Sequence, residues 1–207
     1  MSNQSLIEEL INHGYLKSER IIKAFQTVDR KEFVLKKYQN QAYLNTPLPI
    51  GYGQTISQPL VVAFMLELLQ AQSGDKVLDI GAGSGWVTAL LAYLVGEKGR
   101  VVAIERIFEL ARMATNNVSK FNFIEKGIVK IVYGDGSKGY ISESPFDKII
   151  CGADAKIIPE SWKNQLKVGG RLITPSGDSI IVLDKVTKNK FEQKSFWGFS
   201  FVPLIQD

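Results

Sequence analysis

The chain predicts an α/β fold: a mostly parallel, doubly wound sheet with antiparallel strands at its C-terminal end and a helical addition at its N-terminus. Three observations carry that expectation. From Lys76 onward, short apolar strands alternate with helical stretches, and strands without strict polar alternation, separated by helices, imply a parallel sheet covered on both faces. The last two strand-like runs lie too close together for a helix crossover, so they should pair antiparallel. Ahead of these, residues 6–34 carry apolar positions at helical spacing.

In chain order, Leu6, Ile7, Leu10 and Ile11 form one helical stripe, and Ile21, Ile22, Phe25 and Val28 form a second within "SERIIKAFQTV". Ser18 suits the N-cap of the second helix, with Glu19 in the first turn where the helix dipole favours an acid. Gly14 suits a left-handed end to the first helix, and His13 beside it reads as a surface or capping residue. Beyond Lys76, "KVLDI" reads as a strand, "WVTALLAYLV" as a helix and "RVVAIE" as a strand. "IFELARMATNNVSKF" follows as a helix, "GIVKIVYGD" and "FDKIICGA" as strands, and "PESWKNQL" as a helix. "GGRLITPSG", "SIIVLDKV" and "FEQKSFWGFSFVPL" supply the last strands. No repeat, low-complexity segment or linker interrupts the run. Residues 1–207 are expected to form one domain, with helices and a loop over 1–60 and an α/β core over 61–207.

Composition narrows the function classes. Of 207 residues, 45% are hydrophobic and 22% charged, enough apolar material for a core. No apolar run reaches the roughly 18 residues a membrane helix needs, and "MSNQSLIEEL" lacks the basic and apolar regions of a signal peptide. The single cysteine, Cys151, rules out an intrachain disulfide and reads as a small buried hydrophobe. A cytoplasmic protein with no membrane partner is therefore expected. The net charge of +4 favours acidic partners in general. The lysines are scattered and mostly answered by nearby acids, so no nucleic-acid partner is expected.

The cofactor signal lies in "VLDIGAGSGW". A strand ends near Asp79, and Gly81, Gly83, Ser84 and Gly85 follow before a helix opens. Glycines let the backbone turn tightly and approach a ligand closely. Dinucleotide enzymes space theirs G-x-G-x-x-G. Here the third glycine comes one residue early and Trp86 takes the place that pattern gives to glycine, where its bulk would obstruct close helix–strand packing. The variant "DxGxGxG" suits a cofactor with no pyrophosphate to cradle. Glu105 ends the second strand about twenty residues further on, where an acid hydrogen-bonds ribose hydroxyls. Asp135, with Gly136, ends the third. Alone, each has a plain structural reading: Asp79 as a helix cap, Glu105 as a surface residue and Asp135 as a turn residue with Gly136. Together, at successive strand ends, they suit a cofactor with a cationic amine and sulfonium, a ribose and an adenine but no phosphate, which is S-adenosyl-L-methionine.

Upstream stands a neutral stretch, "PLPIGYGQTISQP", from Pro47 to Pro59. Together with "DIGAGSGW", "ER", "GDG", "LKVGGRLITPSG" and a terminal "FVPL", it resembles the protein-L-isoaspartate (D-aspartate) O-methyltransferases. The resemblance runs from "VDRKEFV" at Val28 to Leu204, and its most specific piece is "GQTIS", Gly53 to Ser57. It implies a Rossmann-like S-adenosylmethionine-dependent methyltransferase fold, with Ser57 as the active-site residue and Thr55 beside it. It also implies that Gln54, Ile56 and the "VPL" of Val202, Pro203 and Leu204 bind the substrate, with no metal. The sequence departs from the family where "VLKKY" replaces a Val-Pro-Glu start, at Tyr52, where histidine is frequent, at Trp86, where tyrosine is, and at Cys151.

The implied substrate is an isoaspartyl residue in a damaged peptide or protein, whose free α-carboxylate is ionised at neutral pH. An anionic nucleophile attacking an electrophilic methyl needs no general base, which suits a chain with one histidine and no Ser/His/Asp set. A hydroxyl can hold the carboxylate by one hydrogen bond without taking its charge, and the prolines would keep the loop stiff. The product ester is expected to collapse toward a succinimide and reopen partly to aspartate, which is repair. Two other readings stay open at this point. One is a methyltransferase acting on a tRNA or small-molecule acceptor, and the other is a non-catalytic interaction module that keeps the cofactor fold.

Overall fold

Leu6, Ile7 and Leu10 bury along one side of α1 (Asn3–Asn12), which opens on a reciprocal cap: the Ser2 hydroxyl accepts from the Ser5 amide and the Ser5 hydroxyl from the Ser2 amide. Gly14, just beyond its C-cap residue His13, takes φ +74°, as the sequence suggests. α2 (Glu19–Thr27) begins after Ser18, but the Ser18 hydroxyl does not accept from that helix. It donates instead to Glu67 of α3 (Pro59–Leu69), at 2.5 Å, and the same carboxylate receives the amides of Lys17 and Ser18. The Glu67 carboxylate thus stands just ahead of the α2 N-terminus, where the helix dipole favours an acid.

The stretch expected as a loop is a β-hairpin in this computed structural model, which describes residues 1–205. β1 (Leu48–Gly51) pairs antiparallel with β2 (Gln54–Ile56). Leu48 and Ile50 point inward with Pro49 exposed between them, the period-two alternation of a half-buried strand. Gly51, Tyr52 and Gly53 all have positive φ at the tip, a conformation the two glycines adopt freely and the tyrosine at a steric cost. Pro59 stands in the first turn of α3, where its missing N–H costs nothing.

Val77 and Leu78, adjacent on β3 (Lys76–Ile80), enter different apolar clusters on opposite faces of one sheet. Val101 and Val102 divide the same way on β4 (Arg100–Glu105). β3 pairs in parallel with β4, which pairs in parallel with β5 (Val129–Tyr133). On its other side β3 pairs in parallel with β6 (Phe146–Cys151), and β6 with β7 (Leu166–Ser176). β8 (Ser179–Lys185) and β9 (Phe191–Trp197) complete the sheet as antiparallel neighbours, giving the order β5-β4-β3-β6-β7-β8-β9.

α4 (Trp86–Val95) and α5 (Phe108–Ser119) pack on one another and on β3, β4 and β5, while α2 packs on α4. One apolar cluster runs from Leu6 of α1 through α2, α3 and α4 to Val182 of β8. The second cluster holds Trp162 of α6 (Glu160–Gln165) and Phe146. The last expected strand is shorter than its apolar pattern. It ends at Trp197, before Gly198 at φ +99°, and residues 199–204 run on without a ladder. Only Asp154 and Pro203 make an isolated parallel bridge there. Among the described residues no helix is long and apolar enough to cross a membrane.

Candidate active site

β3 lies where the strand order reverses, with β4 on one side and β6 on the other, so a crevice opens at its carboxyl end. The glycine turn fills the floor. The Gly81 and Ala82 amides both donate to the Ile104 carbonyl, at 2.9 and 3.0 Å, which pins the turn to β4. Gly81, Gly83 and Gly85 all have positive φ. A Cβ on Gly83 would meet the Ile50 side chain of the hairpin at 3.3 Å, so this glycine lets hairpin and turn close on each other.

Gly85 serves differently from its sequence reading. It does not line the cleft; a Cβ there would stand 2.9 Å from Val118 Cγ2 and 3.1 Å from Ala114 Cα, both on α5. Its role is the close approach of α4 to α5. Nor does Trp86 obstruct packing. Its ring turns toward α2, edge-on to Phe25 at 5.5 Å, and its indole N–H donates to the Val28 carbonyl at 3.4 Å.

Two of the three acids face the cleft. Asp79 is 2% exposed, and its carboxylate accepts from the Thr88 hydroxyl at 2.6 Å. Burial pushes this carboxyl up to about 6; the Thr88 hydrogen bond opposes the rise and the charge of Glu105 adds to it. Glu105 is 6% exposed, its two oxygens accepting from the Gly83 and Ile107 amides at 2.9 and 3.0 Å. A carboxylate with one amide on each oxygen keeps lone pairs for two ribose hydroxyls. Asp135 is the exception. Its carboxylate turns back to the amide and hydroxyl of Ser137, both at 2.9 Å, and caps a short turn, so it does not reach the cleft. Gly136 beside it does, and a Cβ there would strike Ile80.

The cleft encloses about 1120 Å³ counted out to its open mouth. Gln54, Thr55, Ile56 and Ser57 line it from the hairpin, Asp79, Gly81, Gly83, Ser84 and Glu105 from the strand ends and glycine turn, and Val202, Pro203 and Leu204 from the C-terminal segment. The Ser57 carbonyl accepts from Arg30, and its hydroxyl makes no hydrogen bond among the described residues. The 202–204 segment is held from beneath: the Asp154 amide donates to the Val202 carbonyl, and the Leu204 amide to the Asp154 carbonyl, both at 2.8 Å.

Sequence reasoning missed several lining residues. Val62 and Met65 reach the cleft from α3, a helix whose nearly uniform apolar sequence "PLVVAFMLELL" shows no helical period. Trp86 lines the cleft as well, at the first residue of α4. Gly152 and Ala153 follow β6, and the one available signal is the small-residue run after an apolar strand. Cys151, just before them, is buried, and its thiol is pushed up to about 12 by desolvation, which makes it inert.

A doubly wound sheet carrying a glycine turn and two inward acids at its switch point, with no pyrophosphate cradle, defines the S-adenosylmethionine-dependent methyltransferase class. Comparison with known proteins narrows this. The family model described as protein-L-isoaspartate (D-aspartate) O-methyltransferase matches residues 1–207, and the chain belongs to that family. It is 43% identical over 208 residues to the protein-L-isoaspartate O-methyltransferase of Methanopyrus kandleri, covering 99% of this chain and 91% of that one. Among solved structures it is similar to a protein-L-isoaspartate O-methyltransferase with TM-score 0.87 and 30% identity, over 98% of this chain and 65% of the other. A Plasmodium falciparum protein crystallised with S-adenosyl-L-homocysteine shares the fold over the whole of both chains, with TM-score 0.90 and 24% identity.

Proposed function

We propose that the protein transfers a methyl group from S-adenosyl-L-methionine to the free α-carboxylate of L-isoaspartyl residues in damaged peptides and proteins, and so initiates their repair. The observation that carries this reading is Ser57, which lines the cleft beside Asp79 and Glu105 and whose hydroxyl has no hydrogen-bond partner among the described residues. Family membership supplies the substrate class.

The cofactor, when bound, supplies an electrophilic methyl group on a cationic sulfonium. Glu105 would hold the ribose hydroxyls with the lone pairs its two amides leave free. Asp79 also lines the cleft, and a cationic group held beside it would favour its ionised form. Ser57 donates its hydroxyl proton to one oxygen of the substrate carboxylate, and the other oxygen stays free to attack. No residue has to remove a proton, because the carboxylate is already ionised. Thr55, on β2 two residues before Ser57, lines the same cleft. Val202, Pro203 and Leu204, which also line the cleft, hold the peptide backbone, with Gln54 and Ile56 completing the substrate wall. Orientation and exclusion of water are the chain's whole contribution to rate. A free, buried Cys151 suits action in the reducing cytoplasm.

The test uses methyl-labelled S-adenosylmethionine and two peptides that differ only in carrying isoaspartate or aspartate. Base-labile label should enter the isoaspartyl peptide alone. Ser57→Ala should lower kcat/KM by roughly 10²-fold while leaving cofactor affinity within about twofold. Cofactor binding with no label in either peptide would refute the reading.

A further inference from the structure

We propose that Arg30 is a positioning residue for Ser57: its guanidinium closes the base of the hairpin and thereby fixes where the Ser57 hydroxyl stands in the cleft. Arg30 is 1% exposed and lies in a short helical turn, Arg30–Phe33, outside the cofactor core. Its Nη2 donates to the Thr46 carbonyl at 2.9 Å and the Ser57 carbonyl at 3.1 Å. Those two residues flank the hairpin, one before β1 and one after β2. Its Nη1 donates to the Ala42 carbonyl at 2.7 Å and the Leu44 carbonyl at 3.3 Å, on the chain leading in. The guanidinium carbon lies over the Trp86 ring, 5.3 Å from its centroid.

A buried arginine normally faces a carboxylate, because an uncompensated buried charge costs several kcal/mol. Among the described residues Arg30 has no ion pair, and its Nε is left without a partner. The neighbouring carboxylate of Asp29 is engaged instead by the Lys31 amide and the Tyr43 hydroxyl. A fold needing only to fill this space could do so with an apolar side chain. What an arginine adds is a planar fork able to grip several carbonyls at fixed angles.

The hairpin needs such a grip. It has two short strands, a register shift between Pro49 and Gly51, and three successive positive-φ residues at its tip. Two strands of that length are marginal alone. Trp86 completes the arrangement: it opens the helix that follows the glycine turn, lines the cleft, and supports the guanidinium from below. The Ser57 backbone is thereby referenced to the cofactor helix through one side chain.

Resting as it does on Ser57 holding the substrate carboxylate, the role is tested by a double-mutant cycle of Arg30→Lys and Ser57→Ala in the isoaspartyl-peptide assay. Arg30→Lys keeps the charge and loses the fork. It should cut kcat/KM for the peptide at least about tenfold, with cofactor affinity, followed by tryptophan fluorescence, moving less than about twofold. In the Ser57→Ala background the same replacement should cost less than about threefold. Additive losses, or an equal loss of cofactor affinity, overturn the positioning role while leaving methyl transfer intact. Absence of transfer by the unmodified protein would remove both readings at once. If Arg30→Lys does not fold, Trp86→Leu, which withdraws the supporting ring, carries the same cycle at saturating cofactor. Its peptide effect should likewise shrink when Ser57 is alanine, and a loss that persists undiminished overturns the proposal.

Discussion

Asp79 is a carboxyl held at the edge of ionisation. Burial raises it to about 6, and a cation arriving in the cleft would lower it again. Cofactor binding and deprotonation of Asp79 are therefore linked. Above pH 6 the carboxylate is already charged and affinity should be flat. Below it, each unit of pH should weaken binding by up to about tenfold, because the proton must first leave. A fluorescence titration with S-adenosylhomocysteine from pH 5 to 8 should show that break, since Trp86 lines the same cleft. Asp79→Asn should bind more weakly at pH 7.5 and show no break near 6. A wild-type curve without a break would mean that Asp79 does not meet the cationic end of the ligand.

Among the elements, the glycine turn shows most clearly what a sequence pattern reveals and what it hides. That three glycines precede α4 is legible, and so is their need for positive φ. Which partner each one serves is not, because Gly83 meets the hairpin and Gly85 meets α5, both remote in sequence. Gly85→Ala should accordingly act on packing: a Cβ at 2.9 Å from Val118 Cγ2 and 3.1 Å from main-chain Ala114, at φ +89°, should cost about 2–4 kcal/mol. Thermal unfolding measures this, and a change in Tm below about 2 °C would show that α4 and α5 part freely. The same limit explains other misreadings. The strands and helices from Lys76 to Trp197 announce themselves by their own apolar runs. The hairpin at Leu48–Ile56 was hidden by its glycines and prolines, which read as loop, and α3 by apolar residues on every side. Asp135 looked like Glu105, each an acid at a strand end, until Ser137 two residues later supplied a local partner. Ser57 was legible only through its motif, and nothing local in "VDR" signals that Arg30 reaches its carbonyl.

Across the whole molecule, the two ends of the sheet should respond oppositely to acid. At the carboxyl end, Asp79 is folded with a raised pKa. Its ionised form is therefore disfavoured in the fold, and the unliganded protein should gain stability, on the order of 3 kcal/mol at most, as pH falls through about 6 toward 4. At the amino end, Glu143 bridges Arg100, which opens β4, and Lys130 of β5, while Lys76, which opens β3, donates to its carbonyl. The Arg100 hydrogen bond, against some desolvation and helped by Lys130, lowers its carboxyl to about 2. Glu143 thus stabilises the fold fully above about 4.5, and that contribution is lost as pH falls toward 2. Being partly solvent-screened, it is worth about 1–2 kcal/mol. Tm of the cofactor-free protein should therefore rise between pH 7 and 5 and fall below about 4. Glu143→Gln should lower Tm at pH 7 and flatten only the acid limb, since it sits at the far end of the strands from the cleft. Asp79→Asn should flatten only the rise. If Glu143→Gln unfolds along the same acid limb as the wild type, the three strand starts are held by the sheet itself and the ion pairs add nothing.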